Sequence, residues 1–344
     1  MEAAAALRRI AHLIERELGS SRRSSAYRKA AAAVDELSAE QLSDLVSLGQ
    51  VQQLPGVGSS TAQVIKEAVE GKAPKRLADL EAEDSVLPTL EGDALALREA
   101  LRGDCHTHSE WSDGKTSIEE MADAARDAGH GYIVLTDHSP RLQVARGLSA
   151  ERLEAQLDEL EELNRRLAPF RILTGIETDI LPDGSLDQRP DLLARLDVVV
   201  ASVHSKLQMP RKEMTERMLA AIRNPNMDIL GHCTGRMRKS NGDRPESEFD
   251  AAAVFEACAE YGKAVEINSR PDRRDPPRRL MAEARDAGCL FAIDSDGHAP
   301  GELDWLALGC DRAAGCGITA ERVVNTMEAD ALAEWATGHG EVQS

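Results

Sequence analysis

The feature of this sequence that most restricts its fold is a series of short apolar runs that alternate with helix-like segments from about residue 103 onwards. A weak first run at 103–106 is followed by six stronger ones at 132–136, 171–177, 196–202, 227–232, 264–268 and 290–294. Buried runs rich in β-branched residues that alternate with helices predict a parallel sheet. Seven of them in one domain favour a closed barrel over an open sheet, so the sequence predicts the α/β class.

Residues that can ligate a metal follow the ends of these predicted strands. The chemistry of a βα barrel lies at the C-terminal ends of its strands, and six of the nine histidines fall there with three carboxylates: His106, His108, Asp113, His138, Glu177, His204, His232, Asp296 and His298. Each of them taken alone could be an ordinary buried histidine or a helix-capping aspartate. Together they predict a multinuclear metal site, because packing six imidazoles with three carboxylates is costly without cations. We expect His12, His130 and His339 to be ordinary surface residues.

The stretch DCHTHSEWSDG, residues 104–114, carries the first two of these histidines. Residues i and i+2 of a strand point to the same face, so His106 and His108 could present both imidazoles to one ion. Zinc-like metals suit such nitrogen ligands. For this pair alone, two hydrogen-bonded imidazoles in a partly buried strand remain the alternative.

The first 80 residues predict a separate, small all-α domain, because apolar residues recur there at helical spacing. In LPGVGSSTAQVIKEAVEGK, residues 54–72, Gly56 and Gly58 frame a tight turn before a helix that begins near Ser59. Backbone N–H groups at such a turn can meet a phosphate, which is the pattern of a helix-hairpin-helix. An ordinary glycine-rich turn between two helices is the alternative.

The charge is unevenly distributed between the two parts of the chain. The net charge of −19 argues at first against a nucleic-acid partner. Residues 1–80, however, hold 11 basic and 10 acidic residues, whereas the other 264 residues hold 30 and 50. The acidity therefore belongs to the second part. The acidic, proline-interrupted segment 81–102 is predicted to be a linker between the helical domain 1–80 and a barrel domain 103–335.

The sequence also indicates where the protein works. No apolar run approaches the roughly 20 residues that cross a bilayer, and charges interrupt the apolar pattern of the N-terminus, unlike in a secretion signal. The six cysteines are scattered and form no Cys-x-x-Cys pair, which predicts reduced, buried thiols. We expect a cytoplasmic protein without a membrane partner.

The order His-x-His, Asp, His, Glu, His, His, Asp-x-His resembles that of the polymerase and histidinol phosphatase (PHP) family over residues 103–330. The resemblance implies a distorted seven-stranded (βα)7 barrel with a trinuclear site. One metal would take His106, His108, Glu177 and Asp296; a second, Glu177, His204 and His232; a third, Asp113, His138 and His298. Glu177 would then bridge two metals. A histidine replaces Asp113 in some family members, so the metal preference of the third site stays open.

The N-terminal segment is similar to the small DNA-binding domain that opens X-family DNA polymerases, including bacterial ones that end in a PHP domain. SAYRKAAAAVDEL and the glycine turn carry the similarity. It implies sequence-independent contact with the DNA backbone through Tyr27, Arg28, Lys29, Gly56, Gly58 and Lys66. Only the linker stands where those polymerases have their palm, so polymerase activity is not expected. Val64 occupies the position of the family's Schiff-base lysine, so lyase activity by that route is not expected either.

These observations predict a metal-dependent phosphoesterase that uses three divalent ions, Mn, Fe or Zn, since Mg prefers an oxygen shell. A metal-bridging hydroxide would attack phosphorus without a covalent intermediate. Glu177 would hold the ions, and Lys206 and Arg270, which follow strand ends, would bind phosphate oxygens.

The linked DNA-binding domain favours DNA ends as the substrate, with 3′-5′ exonuclease or 3′-phosphatase activity in DNA repair. A small-molecule phosphomonoesterase of the histidinol-phosphatase type is the main alternative. A DNA-binding adaptor without catalysis is disfavoured by the complete ligand set. An amidohydrolase is disfavoured because His204 stands where that barrel usually carries a bridging lysine.

Overall fold

The structure is a computed structural model that describes residues 2–238 and 242–338. The chain divides into two compact units. One contains the residues up to Val86 together with Ala299–Glu302, and the other contains Leu87–His298 and the residues from Leu303 onwards. This division lies a few residues beyond the boundary at residue 80 that the sequence suggested.

The N-terminal unit is helical and has its own hydrophobic core. Its helices are α1 Ala3–Arg16, α2 Ser21–Asp35, α3 Ala39–Ser47, α4 Ser59–Val69 and α5 Lys75–Ala82. Helix α1 buries Leu7, Ile10 and Leu13 in this core, at the helical spacing seen in the sequence. The Ser38 side chain and Gln41 form a capping box that starts α3.

The second unit is built on seven parallel strands that pair in chain order. They are β1 Gly103–Thr107, β2 Tyr132–Leu135, β3 Arg171–Asp179, β4 Val198–Ser202, β5 Ile229–Leu230, β6 Ala264–Asn268 and β7 Leu290–Asp294. The sheet nearly closes on itself, because the His108 N–H donates to the carbonyl of Gly297, just beyond β7, at 2.8 Å. The predicted α/β barrel of seven strands is confirmed. Strand β5 is shorter than the predicted 227–232.

Helices cover the outside of the barrel, which is why its strands read as continuous apolar runs. They are α6 Gly92–Ala100, α7 Ile118–Asp127, α8 Ala150–Leu167, α9 Pro190–Leu193, α10 Arg211–Ile222, α11 Ala251–Glu260, α12 Arg278–Asp286, α13 Leu306–Ala314 and α14 Ala329–Thr337. Along β2, Ile133 and Leu135 pack in the cluster that contains α7, whereas Tyr132 and Val134 pack in the barrel interior. Both faces of the sheet are therefore apolar.

The segment predicted to be a linker, 81–102, is partly helical. Helix α6 packs against α13 and buries Leu97 in the core of the barrel unit. The helix follows the acidic, proline-interrupted part of the segment, where the sequence also becomes helical in pattern. All six cysteines are buried, as predicted. In the described part of the chain, no helix combines the length and the apolar character needed to cross a lipid bilayer.

Candidate active site and nucleic-acid interface

The barrel brings all nine predicted metal ligands to the C-terminal ends of its strands. His106 lies within β1 and Glu177 within β3, and the others follow strands directly or within a turn. The six imidazoles form a continuous cluster, with neighbouring ring centroids from 4.2 Å (His108 and His298) to 6.3 Å (His138 and His298) apart. The parallel topology explains this convergence, since it places every strand's C-terminal end at one rim.

Glu177 is the centre of this cluster. Its Oε2 lies 3.3 Å from Nε2 of His106 and 2.8 Å from Nδ1 of His138. Its Oε1 lies 3.2 Å from Nε2 of His204 and 2.9 Å from Nε2 of His232. One buried carboxylate therefore contacts ring nitrogens supplied by four strands, which is the position a bridging ligand must occupy.

The remaining carboxylates flank this centre. Asp296 Oδ1 lies 3.4 Å from Nε2 of His108. Asp113 Oδ1 lies 3.4 Å from Nε2 of His138 and 3.3 Å from Nε2 of His298. Asp296 has a left-handed backbone with φ of +53°, which aspartate tolerates better than most residues.

The donor atoms of the cluster fit divalent metal ions. Among the described residues, Nε2 of His106, both ring nitrogens of His108, Nε2 of His204 and Oε2 of Glu177 are buried without a hydrogen-bond partner. Such atoms are unfavourable unless another group pairs with them. They converge in three groups whose ligand atoms lie within 4.8 Å of one another: His108, Asp113, His138 and His298; His106, His108 and Glu177; His138, Glu177 and His204.

These three groups overlap with the ligand sets that the family resemblance implies, but two of them gain a member, and Asp296 and His232 belong to none of them. His138 joins Glu177 and His204 in the second group, and His108 joins the group around Asp113. The assignment of ligands to individual ions therefore stays a prediction. The cluster as a whole could bind metal ions.

Two carboxylates that the sequence analysis missed hold the ligating histidines in place. Glu266 Oε1 on β6 lies 2.5 Å from Nδ1 of His106, and Asp179 Oδ1 at the end of β3 lies 2.5 Å from Nδ1 of His204. A carboxylate on Nδ1 fixes the tautomer that turns Nε2 towards a metal. The signal was present in AVEIN, residues 264–268, where one charge stands inside an apolar strand.

The charges of the cluster shift the ionisation of its members in opposite directions. Burial opposes protonation of His138, but the charges of Glu177 and Asp113 raise its pKa to about 10. Burial and the neighbouring imidazoles of His298 and His138 lower the pKa of His108 well below its usual range. Burial disfavours the carboxylate of Glu177, yet the surrounding histidines hold its pKa well below the ordinary value.

A buried aspartate fixes the loop between His108 and Asp113. The Asp137 carboxylate accepts hydrogen bonds from the backbone N–H and hydroxyl of both Ser109 and Ser112, and from the Gln156 amide at 2.7 Å. This network positions the turn that carries Asp113.

Of the two predicted phosphate-binding cations, one lies against the cluster. Arg270 Nη1 lies 3.3 Å from Nδ1 of His298, and its guanidinium stacks on Trp305. Lys206 lies after β4 and is exposed; within the described part of the chain, its side chain makes no contact with the cluster. Arg273, which the sequence analysis did not single out, places Nε 3.1 Å from Oδ2 of Asp296.

The predicted DNA-contacting residues divide into two sets. Tyr27 is only 5% exposed and packs in the helical core, which leaves little of it available to DNA. The Arg28 guanidinium is paired with the buried Glu15 carboxylate at 2.6 Å. The Gly58 N–H donates to the Thr61 hydroxyl at 2.9 Å, which ties up one amide expected to meet a phosphate.

The remaining three residues lie at the surface near the glycine turn. Gly56 has φ of +76°, and a Cβ added there would lie 3.1 Å from Cβ of Lys29, so the turn and this lysine are neighbours. Lys66 is exposed on α4, 3.9 Å from Glu70. Their role in DNA binding stays a prediction.

Two of the three histidines outside the cluster differ from their predicted surface role. His12 is half-buried. His130 is buried at the start of β2, and its burial together with the charge of Arg98 lowers its pKa to about 4. His339 lies outside the described residues.

A parallel barrel with nine convergent imidazole and carboxylate donors defines a metal-binding phosphoesterase class. Two family models match the chain: PHP domain over residues 104–270 and Helix-hairpin-helix domain over residues 1–73. The chain belongs to the PHP family and carries an N-terminal helix-hairpin-helix domain.

Among curated proteins, the DNA polymerase/3′-5′ exonuclease PolX of Bacillus subtilis is 40% identical over 225 residues. That match covers 65% of this chain but only 39% of the relative's length. A protein of Thermoanaerobacter sp. named "Probable phosphatase" is 30% identical over 234 residues, which cover 65% of this chain and 89% of that relative.

A solved structure of histidinol phosphate phosphatase from Lactococcus lactis, complexed with zinc, L-histidinol and phosphate, is 19% identical. The match covers 62% of this chain and 92% of that one, with a TM-score of 0.45. A similarity at this level carries no argument about substrate.

Proposed function

We propose that the protein is a metal-dependent phosphoesterase that processes DNA ends, as a 3′-5′ exonuclease, a 3′-phosphatase or both. The observation that carries this proposal is the presence, on one chain, of a nine-donor cluster in a PHP barrel and of a helix-hairpin-helix domain. The similarity to a polymerase that is also named a 3′-5′ exonuclease supports it.

The donor set favours Mn, Fe or Zn over Mg, because six of its nine members are imidazoles. We assign three ions to the cluster, with Glu177 as the bridging ligand. When bound, such ions lower the pKa of a coordinated water and neutralise phosphate charge. Each imidazole of the cluster lies within a few ångströms of a carboxylate, so nitrogen and oxygen donors are already next to each other.

The residues of the chain itself would do the rest of the work. Glu266 and Asp179 keep His106 and His204 in the ligating tautomer. Arg270, held by Trp305 and Asp272 beside His298, would bind an oxygen of the scissile phosphate, and Lys206 would do so from the opposite loop. The helix-hairpin-helix would bind the DNA backbone without reading its sequence, through Gly56, Lys29 and Lys66.

A second candidate, a phosphomonoesterase for small molecules, is favoured by one observation. The relatives named "Probable phosphatase" are matched over most of their length, 89% for the Thermoanaerobacter protein, whereas PolX is matched over 39%. The helix-hairpin-helix domain has no evident use in that role.

The deciding experiment compares three substrates of the manganese-loaded protein: a duplex with a recessed 3′ end, the same duplex with a 3′-phosphate, and histidinol phosphate. We expect turnover of at least one DNA substrate and its loss in His106→Ala. Activity on histidinol phosphate alone would overturn the proposal in favour of the second candidate.

A further inference from the structure

A cavity of about 300 Å³ opens between the loops that follow β5 and β6. Four arginines line it with two carboxylates: Arg236, Arg238, Arg244 and Arg273, with Asp243 and Glu246. Its volume is at the lower end of the range for ligand pockets. The cavity adjoins the metal cluster, because Arg273 also contacts Asp296.

The two loops are joined to each other, so the cavity has defined walls. The Arg238 N–H donates to the carbonyl of Asp272 at 2.7 Å, and Met237 and Arg244 exchange backbone hydrogen bonds across a short antiparallel bridge. The Arg236 guanidinium donates to the carbonyls of Arg273 and Arg274. Arg236 is therefore a brace, and its charge is also matched by Glu246 at 3.5 Å.

Bracing accounts for one nitrogen of Arg244, whose Nε donates to the carbonyl of Gly235 at 2.5 Å, but it does not account for Arg273. The Arg273 side chain is only 11% exposed; its Nε is paired with the Asp296 carboxylate at 3.1 Å, whereas its buried Nη1 has no hydrogen-bond partner among the described residues. Burial and the nearby charge of Arg273 lower the pKa of Arg244. Two partly buried guanidinium groups near each other, one of them short of acceptors, form a site that an anion would complete.

The chemistry of the anion follows from the position of the site. The barrel as a whole is acidic, so a group of arginines is exceptional there. Beside a phosphoesterase centre, guanidinium groups suit a phosphate, whose oxygens accept hydrogen bonds from them. A monoester presents one phosphate, which would bind at the metal cluster and Arg270. A polynucleotide presents a second phosphate one nucleotide away from the first. The cavity is close enough to receive it, because Arg273 lines the cavity and also contacts Asp296 of the cluster.

We propose that the cavity binds the phosphate next to the one that is hydrolysed, so that the barrel selects an oligonucleotide chain over an isolated phosphate ester. This inference rests on the proposed phosphoesterase function and specifies its substrate. Arg244 and Arg273 would each donate to a non-bridging oxygen of the neighbouring phosphate. The scissile phosphate would remain with the metal cluster.

The test compares the manganese-loaded full-length protein on single-stranded tetrathymidylate and on the p-nitrophenyl ester of thymidine 5′-monophosphate, which has no neighbouring phosphate. In Arg244→Gln we expect kcat/KM for tetrathymidylate to fall about tenfold or more, because a charge-assisted hydrogen bond to the neighbouring phosphate is lost. The small ester should change less than about twofold. Arg165→Gln, an exposed arginine on α8, is the matched control.

A binding readout accompanies this comparison. A phosphorothioate trithymidylate should inhibit turnover of the small ester competitively, and a competitive inhibition constant measures binding at the barrel rather than at the N-terminal domain. In Arg244→Gln, the slope of log inhibition constant against log salt should decrease by about 0.7, the value for one phosphate contact on a single strand. Arg244→Lys keeps the charge and should recover most of the preference, which also tests whether the glutamine variant is merely misfolded.

The outcomes separate the two levels of the proposal. Equal loss on both thymidine substrates, or no loss on either, would overturn the cavity's role and leave the phosphoesterase function standing. A wild-type protein that hydrolyses p-nitrophenyl phosphate but neither thymidine substrate would overturn the exonuclease activity and the cavity's role with it, whereas the 3′-phosphatase activity would still be decided by the duplex with a 3′-phosphate.

Discussion

Glu266→Gln is the most informative single change in the metal centre, because Glu266 contacts a ligand without being one of the nine predicted ligands. Its Oε1 lies 2.5 Å from Nδ1 of His106, and its Oε2 accepts the backbone N–H of His232. Glutamine has nearly the same shape but no charge. The variant should therefore keep the fold and weaken the hold on His106.

The magnitude follows from the type of hydrogen bond that is lost. A buried hydrogen bond to a charged group contributes roughly 1.5–3 kcal/mol, whereas a neutral one contributes about 0.5–1.5 kcal/mol. The difference, about 1–2 kcal/mol, corresponds to a loss of roughly 5- to 30-fold in metal affinity. This agrees with the 10- to 100-fold typical of carboxylates that orient a ligating histidine.

Metal affinity is measured by competition with a chromophoric chelator for manganese or zinc, with circular dichroism as the check on folding. Asp179→Asn is the matched variant, because Asp179 makes the equivalent 2.5 Å contact with His204. Both variants should lose affinity while the apo proteins stay folded. An unchanged affinity in Glu266→Gln, with the fold intact, would refute the argument that this carboxylate sets the tautomer of His106.

Three further predictions address separate parts of the molecule. His106→Ala should reduce phosphoesterase turnover to background without loss of the fold, and residual wild-type turnover would contradict a metal mechanism. Gly56→Val, at φ of +76° and beside Lys29, should weaken DNA binding measured by fluorescence anisotropy but spare hydrolysis of a small aryl phosphate; equal losses would contradict the division of labour between the domains. Burial and Arg98 lower the pKa of His130 from 6.5 to about 4, so the unfolded chain binds a proton that the native chain rejects between these values. Stability therefore falls as the pH drops through this window, and His130→Asn should remove about 3 kcal/mol of that fall in urea unfolding; parallel pH profiles of the two proteins would contradict this.

The sequence was sufficient to predict the strands of the barrel and the residues that meet at its C-terminal rim. Each run of β-branched residues became a strand because both faces of the sheet are covered, so no alternation of polar residues obscured the pattern. The convergence of the predicted ligands followed from topology, since a parallel barrel gathers all its C-terminal strand ends. The complete set from His106 to His298 was predictable for that reason.

The side chains that support the site were less accessible to sequence reasoning. Glu266 is one charge inside an apolar strand, and Arg273 is one of several arginines in SRPDRRDPPRR. Which arginine turns inward depends on the loop's backbone, including the left-handed φ of +50° at Arg274, and that is set by contacts with the neighbouring loop. Tyr27 was predicted as a DNA contact because it stands beside two basic residues, whereas the helix turns it into the core.

The unequal exposure of the two key carboxylates has a consequence for how the protein acquires its metals. The Asp113 side chain is 36% exposed, whereas the Glu177 side chain is 1% exposed. An ion held partly by Asp113 would exchange its ligands with water directly, whereas ions held by Glu177 would lie among the four histidines that contact its carboxylate. We expect radioactive manganese to replace one part of the bound metal quickly and the rest slowly; a single exchange rate would contradict this. The identity of the metal at the outer position would then follow the metal ions currently in solution. The identity of the inner metals would depend on the ions that were present when the protein first bound metal.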